Sequence, residues 1–387
     1  LFLKAALHAE KVYDAFHRLL ARLTGRLGKP MSAEIYYAVR HAEGVSVRGR
    51  TLLARTWPHP SADDPALVNL YHMLRRWCTP ERPYSLVRVG AGGAAVERRT
   101  DREGYFEIEI PDADAPGDEL FIELPESEVS PPATWPIARG DLAPRGLVLS
   151  DVDDTVLVTH AGKIVRMVAT TLLGNALTRQ LFPGVVALYR HLRTGPIPEE
   201  GRRNPIAYVT SSPYNLHGLL ELIFEENGLP IGPLFMTDWG LDEDKWLKRS
   251  HRDHKLEAIR RVFAWYPGLP AVFLGDTGQH DLPIYLEAAR EHPGRVALIL
   301  IHRVSGAKRL AALEAEATGG AGEGVDLRFF DDYAEAAAIL AEAGWISEEQ
   351  RAEVEAAVVE EPGSFSERVA RRLNEERASG SPPSDGR

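Results

Sequence analysis

From about Ser32 to Leu124, apolar and polar positions alternate with a period of two. Val45-Ser46-Val47-Arg48 and Phe106-Glu107-Ile108-Glu109-Ile110 put apolar side chains on one face and polar ones on the other, as strands with one solvated face do. Asp101-Arg102-Glu103-Gly104 precedes the second run as a turn. The pattern predicts a small antiparallel β-sandwich-like domain over 31–124, interrupted by a helix near Ala66 to Trp77. Pro131, Pro132, Pro136 and Pro144 then mark 125–145 as a linker.

Beyond the linker the period changes. Apolar runs alternate with amphipathic helical stretches: Leu147–Leu149 and a helix through Tyr189, then Ile206–Val209 and Leu216–Phe224. Ala271–Leu274 and Ile284–Ala289 follow, then Val296–Ile301 and a further helix. Short, nearly all-apolar strands separated by helices predict a buried parallel sheet, an α/β doubly wound domain over 146–345. Helices are expected at 346–377, and a disordered tail rich in Ser, Pro and Gly at 378–387. At the other end, Leu3, Leu7, Phe16, Leu20, Leu23 and Leu27 recur at helical spacing, among Lys4, Lys11, Arg18, Arg22 and Arg26. This is an N-terminal amphipathic helix over 1–30. It either packs on the domain that follows or lies on an anionic membrane surface.

Composition narrows the function classes. A net charge of -11 argues against general nucleic-acid binding. Cys78 is the single cysteine, so no intramolecular disulfide forms and a reducing compartment is expected. No apolar run reaches the ~18 residues that a bilayer span needs. Gly90-Ala91-Gly92-Gly93-Ala94-Ala95 fits a loose dinucleotide-binding pattern, but Val96-Glu97-Arg98-Arg99 continues it as a strand and not as a phosphate-holding helix. A glycine-rich hairpin is the expectation there.

Doubly wound sheets bind ligands beyond the carboxyl ends of their strands, and four polar clusters fall there. Asp151-Val152-Asp153-Asp154-Thr155 follows the first apolar run, and Thr210-Ser211-Ser212-Pro213 follows the second. Lys255 opens a helix after a polar loop, and Gly275-Asp276-Thr277-Gly278-Gln279-His280-Asp281 follows Val272-Phe273-Leu274. A carboxylate nucleophile divides phosphoester hydrolysis into two easier displacements, a role Asp151 suits. A second carboxylate two residues on, Asp153, can protonate the leaving oxygen and then activate water. Two like charges 4 Å apart repel by roughly 4 kcal/mol at an effective dielectric of 20. Hard oxygen ligands such as Asp151 and Asp276 therefore imply a Mg²⁺ ion between protein and phosphate. Thr210 and Lys255 are placed to bind the transferring oxygens.

These clusters resemble the four motifs of the haloacid-dehalogenase (HAD) superfamily: Asp-x-Asp-x-Thr, a Ser or Thr after the second strand, a Lys, and Gly-Asp-x-x-x-x-Asp. More narrowly, Gly146 to Val304 is similar to the catalytic domain of the actin-patch-type phosphatidate phosphatases and their bacterial relatives. The likeness runs through Asp151 to Val156, Phe182-Pro183-Gly184-Val185, Tyr208 to Leu216, His254-Lys255 and Gly275 to Asp281, with Ile284-Tyr285 after it. The resemblance implies Asp151 as nucleophile and Asp153 as acid/base, with Asp153 also lending its main-chain carbonyl to Mg²⁺. It implies that Thr210, Ser211 and Lys255 hold the phosphoryl group, and that Asp276 completes the metal site. Asp281 would lie behind it or bind through water.

By the same resemblance the activity is phosphoric monoester hydrolysis through an aspartyl-phosphate, on phosphatidate or a similar lipid phosphate at a membrane surface. A soluble or macromolecular phosphate ester is the alternative substrate, and a membrane-associated scaffold with a vestigial site the alternative role. Neither Val158 to Gln180 nor Gly228 to Asp253, read as a mostly polar loop, is long enough for a full lid domain. Arg166, Arg179 and Arg303 are candidates for positive charge at the mouth. The expected location is cytoplasmic, with residues 1–30 as the element that would touch the inner membrane face.

Overall fold

The structure is a computed structural model that describes residues 31–41, 43–53, 82–111, 119–127, 133–139, 144–157, 181–198, 203–237, 251–278, 281–304 and 325–360. The expected helices at 1–30 and 66–77, the tail, Arg166 and Arg179 lie outside them.

Eight strands come first: β1 (Met31–His41), β2 (Gly44–Leu53), β3 (Leu86–Ala91), β4 (Ala94–Arg99), β5 (Tyr105–Pro111), β6 (Glu119–Glu123), β7 (Ala133–Pro136) and β8 (Ala138–Arg139). They form two four-stranded sheets, ordered β5-β2-β1-β8 and β4-β3-β6-β7. Ile35, Val47 and Ile108 of one sheet share a core with Val89, Leu120 and Ile122 of the other. The alternation seen in the sequence is the inward half of this arrangement. All pairings are antiparallel except β1 with β8, where Val39 stands opposite Ala138.

The segment expected as a linker thus carries β7 and β8. Both lie at sheet edges, where a strand ending in Pro136 needs no further N–H donor. The glycine-rich segment is a hairpin, with Gly92 and Gly93 as its two turn residues at φ of 59° and 103°. Those positive angles suit glycine and match the twist of the flanking strands.

The second unit is a six-stranded parallel sheet of β9 (Leu147–Ser150), β10 (Ile206–Pro213), β11 (Leu234–Thr237), β12 (Ala271–Asp276), β13 (Val296–His302) and β14 (Asp326–Phe330). The order is β11-β10-β9-β12-β13-β14. Its helices are α1 (Val185–Thr194), α2 (His217–Asn227), α3 (His251–Trp265), α4 (Asp281–Glu291), α5 (Tyr333–Glu342) and α6 (Glu348–Glu360). Val148, Leu149, Val272 and Leu274 are fully buried in the central strands. Each such side chain stabilises the fold by about 1.5–3 kcal/mol.

β11 was not expected. It sits inside the stretch read as a polar loop, and its four residues are too few to show a period. Lys255 stands on the second turn of α3 and not at its opening.

The strand order places the site. From β9 the chain proceeds through β10 and β11 to one edge, then returns on the other side of β9 and proceeds through β12 to β14. The crevice between strands that lead in opposite directions opens at the carboxyl end of β9.

Candidate active site

At the end of β9 the ladder continues one residue further, with the Asp151 N–H donating to the Leu274 carbonyl at 2.9 Å. The Ser150 hydroxyl donates to the Asp151 carbonyl at 2.6 Å, and the Tyr189 hydroxyl reaches Ser150 Oγ at 2.5 Å. With the Ser150 proton so used, Tyr189 is the donor in the second bond. The chain then turns sharply: Asp154 takes a φ of 58°, a left-handed conformation that aspartate tolerates better than most residues. The N–H groups of Val156 and Leu157 both donate to the Val152 carbonyl, at 2.9 and 3.0 Å.

Asp151, Asp276 and Asp281 converge beyond the strand ends, with one carboxylate oxygen from each lying within 4.8 Å of the others. All three are buried. The Lys255 ammonium, also buried, donates to Asp151 Oδ1 at 2.8 Å and to Asp281 Oδ1 at 2.5 Å. Asp281 is fixed further by the Asp276 N–H, which donates to its Oδ2 at 3.1 Å. That approach requires Gly275, where a Cβ would stand 2.8 Å from both Asp281 Oδ2 and Tyr285 Cε2.

Burial pushes the Asp151 carboxyl well above the usual carboxylate range. Lys255 pulls it down, and the neighbouring Asp281, Asp276 and Asp153 add to the rise. For Lys255, burial opposes the ammonium, but Asp151 and Asp281 outweigh it and hold the group above the ordinary lysine value. Three carboxylates against one ammonium leave a net charge of -2 in a closed space when all are ionised. A divalent cation balances that charge, and a set of hard carboxylate oxygens at this separation suits one. The residues present therefore fit a divalent metal.

Asp153 takes a different place. Its Oδ2 accepts hydrogen bonds from Thr210 Oγ1 at 2.8 Å and from Ser212 Oγ at 3.0 Å. Thr210 Oγ1 in turn accepts from the Ser212 N–H at 3.0 Å. The second strand end is thus built around this carboxylate. Ser211 is half-buried, and its carbonyl accepts from the Thr237 hydroxyl of β11 at 2.7 Å. Ser212 carries a contact that the motif alone did not assign to it; its place two residues after Thr210 was the available signal.

Arg303 points its guanidinium at Asp331, 3.3 Å away, and over the Phe329 ring at 5.5 Å. Its neighbour Val304 comes closer to the cluster, donating its N–H to the Thr277 hydroxyl at 2.9 Å. His302 is buried under the turn, with its ring nitrogens 3.2 Å from the Asp154 and Asp331 carbonyls. No sequence feature had drawn attention to it.

Residues 146–303 match the family model of the catalytic domain of phosphatidate phosphatase APP1. The phosphatidate phosphatase APP1 of Saccharomyces cerevisiae is 24% identical over 183 residues, 47% of this chain. The match spans 30% of that relative's length. A carbohydrate acetylesterase of Xanthomonas citri aligns over 69% of this chain and 66% of its own, with 13% identity and a TM-score of 0.24.

Proposed function

We propose that this chain, similar over residues 146–303 to the APP1 catalytic domain, is a Mg²⁺-dependent phosphoric monoester hydrolase of the HAD type that acts on phosphatidate or a similar lipid phosphate. The observation that carries the reading is the pairing of Asp151 with Lys255 at 2.8 Å inside a buried group of three carboxylates. A carboxylate beside a fixed cation, in a site that wants a divalent ion, is what transfer to an aspartate requires.

Asp151 attacks the phosphorus, and the bond to the leaving alkoxide breaks. Asp153, held by Thr210 and Ser212, gives that oxygen its proton. Water then attacks the aspartyl-phosphate while Asp153 takes up the water's proton. Inorganic phosphate leaves, and Asp151 is restored. Such proton transfer contributes about 10²–10⁴-fold. Lys255 offsets charge on the nucleophile and on the transferring oxygens. Asp151, Asp276 and the Asp153 carbonyl would hold Mg²⁺, with Asp281 behind them or binding through water, and the ion would supply the positive charge that lets a carboxylate meet a phosphate dianion. Thr210 and Ser211 line the phosphoryl position; Arg303, expected at the mouth, instead points at Asp331, and Arg166 and Arg179 lie outside the described residues.

The lipid substrate is taken from the named relative, a phosphatidate phosphatase. Among the described residues no helix is long and apolar enough to cross a membrane. The test is phosphate release from phosphatidate in mixed micelles, with Mg²⁺ and with EDTA, for wild type and Asp151→Asn. Turnover that needs both Mg²⁺ and Asp151 supports the reading. Asp151-dependent turnover of soluble esters alone would remove the lipid and keep the chemistry. Mg²⁺ binding without turnover of either would point to the scaffold instead.

A further inference from the structure

The first β-unit meets the segment after β10 at Tyr214 and His217, and Tyr36 touches both. β1 and β2 pair regularly from Met31 opposite Leu53 to Ile35 opposite Gly49, and again from Tyr37 opposite Arg48. Tyr36 is the extra residue of a β-bulge between them. A bulge shifts the side-chain phase of everything beyond it. Before the bulge, Met31, Ala33 and Ile35 point into the sandwich core; after it, Ala38 does. Tyr36 and Tyr37 are consecutive, yet both enter the core of the parallel-sheet domain, as does Val39.

The Tyr36 ring stacks on Tyr214, with centroids 4.2 Å apart and planes 27° from parallel. Tyr214 follows the segment Thr210 to Pro213, whose Thr210 and Ser212 hydroxyls hold Asp153. The Tyr36 carbonyl accepts from His217 Nε2 at 3.3 Å, at the start of α2. Arg48 lies over the other partners, 5.3 Å from the Tyr214 centroid and 5.9 Å from that of Tyr105. The segment between the end of β10 and the start of α2 is thereby gripped at Tyr214 and His217; the bulged residue touches both, with Arg48 and Tyr105 beside it at Tyr214 and Glu34 at His217. An offset aromatic pair of this kind contributes about 0.5–1.5 kcal/mol beyond burial of its area.

We propose that Tyr36 is a positioning residue: the bulge in the accessory sheet holds the 210–216 segment, the end of β10 and the turn after it, so that Thr210 and Ser212 meet Asp153. The accessory β-unit then belongs to the catalytic apparatus and is more than an appended domain. The inference rests on the hydrolase reading for its activity arm only.

Tyr37 provides the control. It is as deeply buried as Tyr36 and crosses the same interface, but its ring packs on Trp265 and Phe235 and its hydroxyl accepts from Arg261 at 2.6 Å, where the Tyr36 ring stacks on Tyr214. Full-length wild type, Tyr36→Leu, Tyr36→Phe and Tyr37→Leu would be compared for Tm, for kcat and KM on p-nitrophenyl phosphate, and for amide hydrogen exchange in peptides covering 210–216. Tyr36→Leu is expected to lower kcat by about 10- to 100-fold, the scale of an ångström-level misplacement, with KM little changed and faster exchange in 210–216. Tyr36→Phe keeps the ring and restores both. Tyr37→Leu, at a similar loss of Tm, leaves kcat and loop exchange near wild type. Loss of kcat in proportion to Tm in both leucine variants, with no selective change in loop exchange, would overturn the proposal. A wild type that turns over no phosphate ester would defeat the hydrolase reading, and exchange in 210–216 would still decide whether Tyr36 holds the loop.

Discussion

The Lys255 ammonium stands 2.8 Å from Asp151 Oδ1, with the two side chains only 2% and 0% exposed. The charges therefore meet in a space that water does not screen, and Asp281 closes the other side of the ammonium. Removing one partner of a buried pair leaves an uncompensated charge, which typically costs about 3–5 kcal/mol. Lys255→Met is expected to lose stability on that scale in metal-free urea unfolding. Its kcat should fall by about 10²–10³-fold, as when one preorganised donor is removed. A variant as stable and as active as wild type would show that the pair has no such role.

On the proposed reading, Mg²⁺ binding would separate the carboxylates into two groups. Saturating a native-state ligand at 100 times its Kd adds about 2.7 kcal/mol, so Mg²⁺ should raise the Tm of wild type. Asp276→Asn should lose most of that rise. Asp153→Asn should retain it and still lose turnover, since its carboxylate faces Thr210 and Ser212 and is not one of the three that converge. Thermal melts with Mg²⁺ and with EDTA check both. An Asp153→Asn protein that no longer responds to Mg²⁺ would contradict the division.

Gly275→Ala tests how Asp281 is held. The added methyl would stand 2.8 Å from Asp281 Cβ, Asp281 Oδ2 and Tyr285 Cε2, so Asp281 must shift. Overpacking of this kind costs about 1–3 kcal/mol. A matching rise in the Mg²⁺ concentration needed for half-maximal activity is expected, measured beside the urea midpoint. Unchanged values of both would mean that the backbone relaxes without moving Asp281.

The His217 imidazole should make stability depend on pH. Burial opposes its charged form, but Glu34, then Glu221 and the Tyr36 carbonyl, outweigh it and raise its pKa. The Tyr36 ring, 4.9 Å away, completes its surroundings. Because the folded value exceeds the unfolded value of about 6.5, its contribution is complete below that pH. It is lost as pH rises through the folded value. Urea unfolding from pH 5.5 to 9 should show wild type losing its advantage over His217→Gln as pH increases. Parallel curves for the two proteins would dismiss the effect.

Ser212→Ala removes one of the two hydroxyl donors on Asp153 Oδ2. Loss of a hydrogen bond to a charged group is worth about 1.5–3 kcal/mol, so kcat should fall by roughly tenfold or more. Ser212→Thr should restore most of the loss. Steady-state rates of the three proteins decide it.

The period-two pattern of 31–124 and the apolar runs at Leu147, Ile206, Ala271 and Val296 were readable because local periodicity records which faces are buried. Asp151 and Asp153 were readable for a related reason: polar residues directly after an apolar strand must lie at its end. β11 escaped because four residues show no period, and β7 and β8 because prolines conceal edge strands. The sequence by itself therefore determined the two sheet types and the strand ends that carry the acids. Only the tertiary structure decided which acids share a cation, since Lys255 and Asp151 are 104 residues apart and the packing of α3 on the sheet brings them together. It also decided that Tyr36 turns toward Tyr214. A bulge is one unpaired residue, and whether a strand takes one in depends on how both of its faces pack.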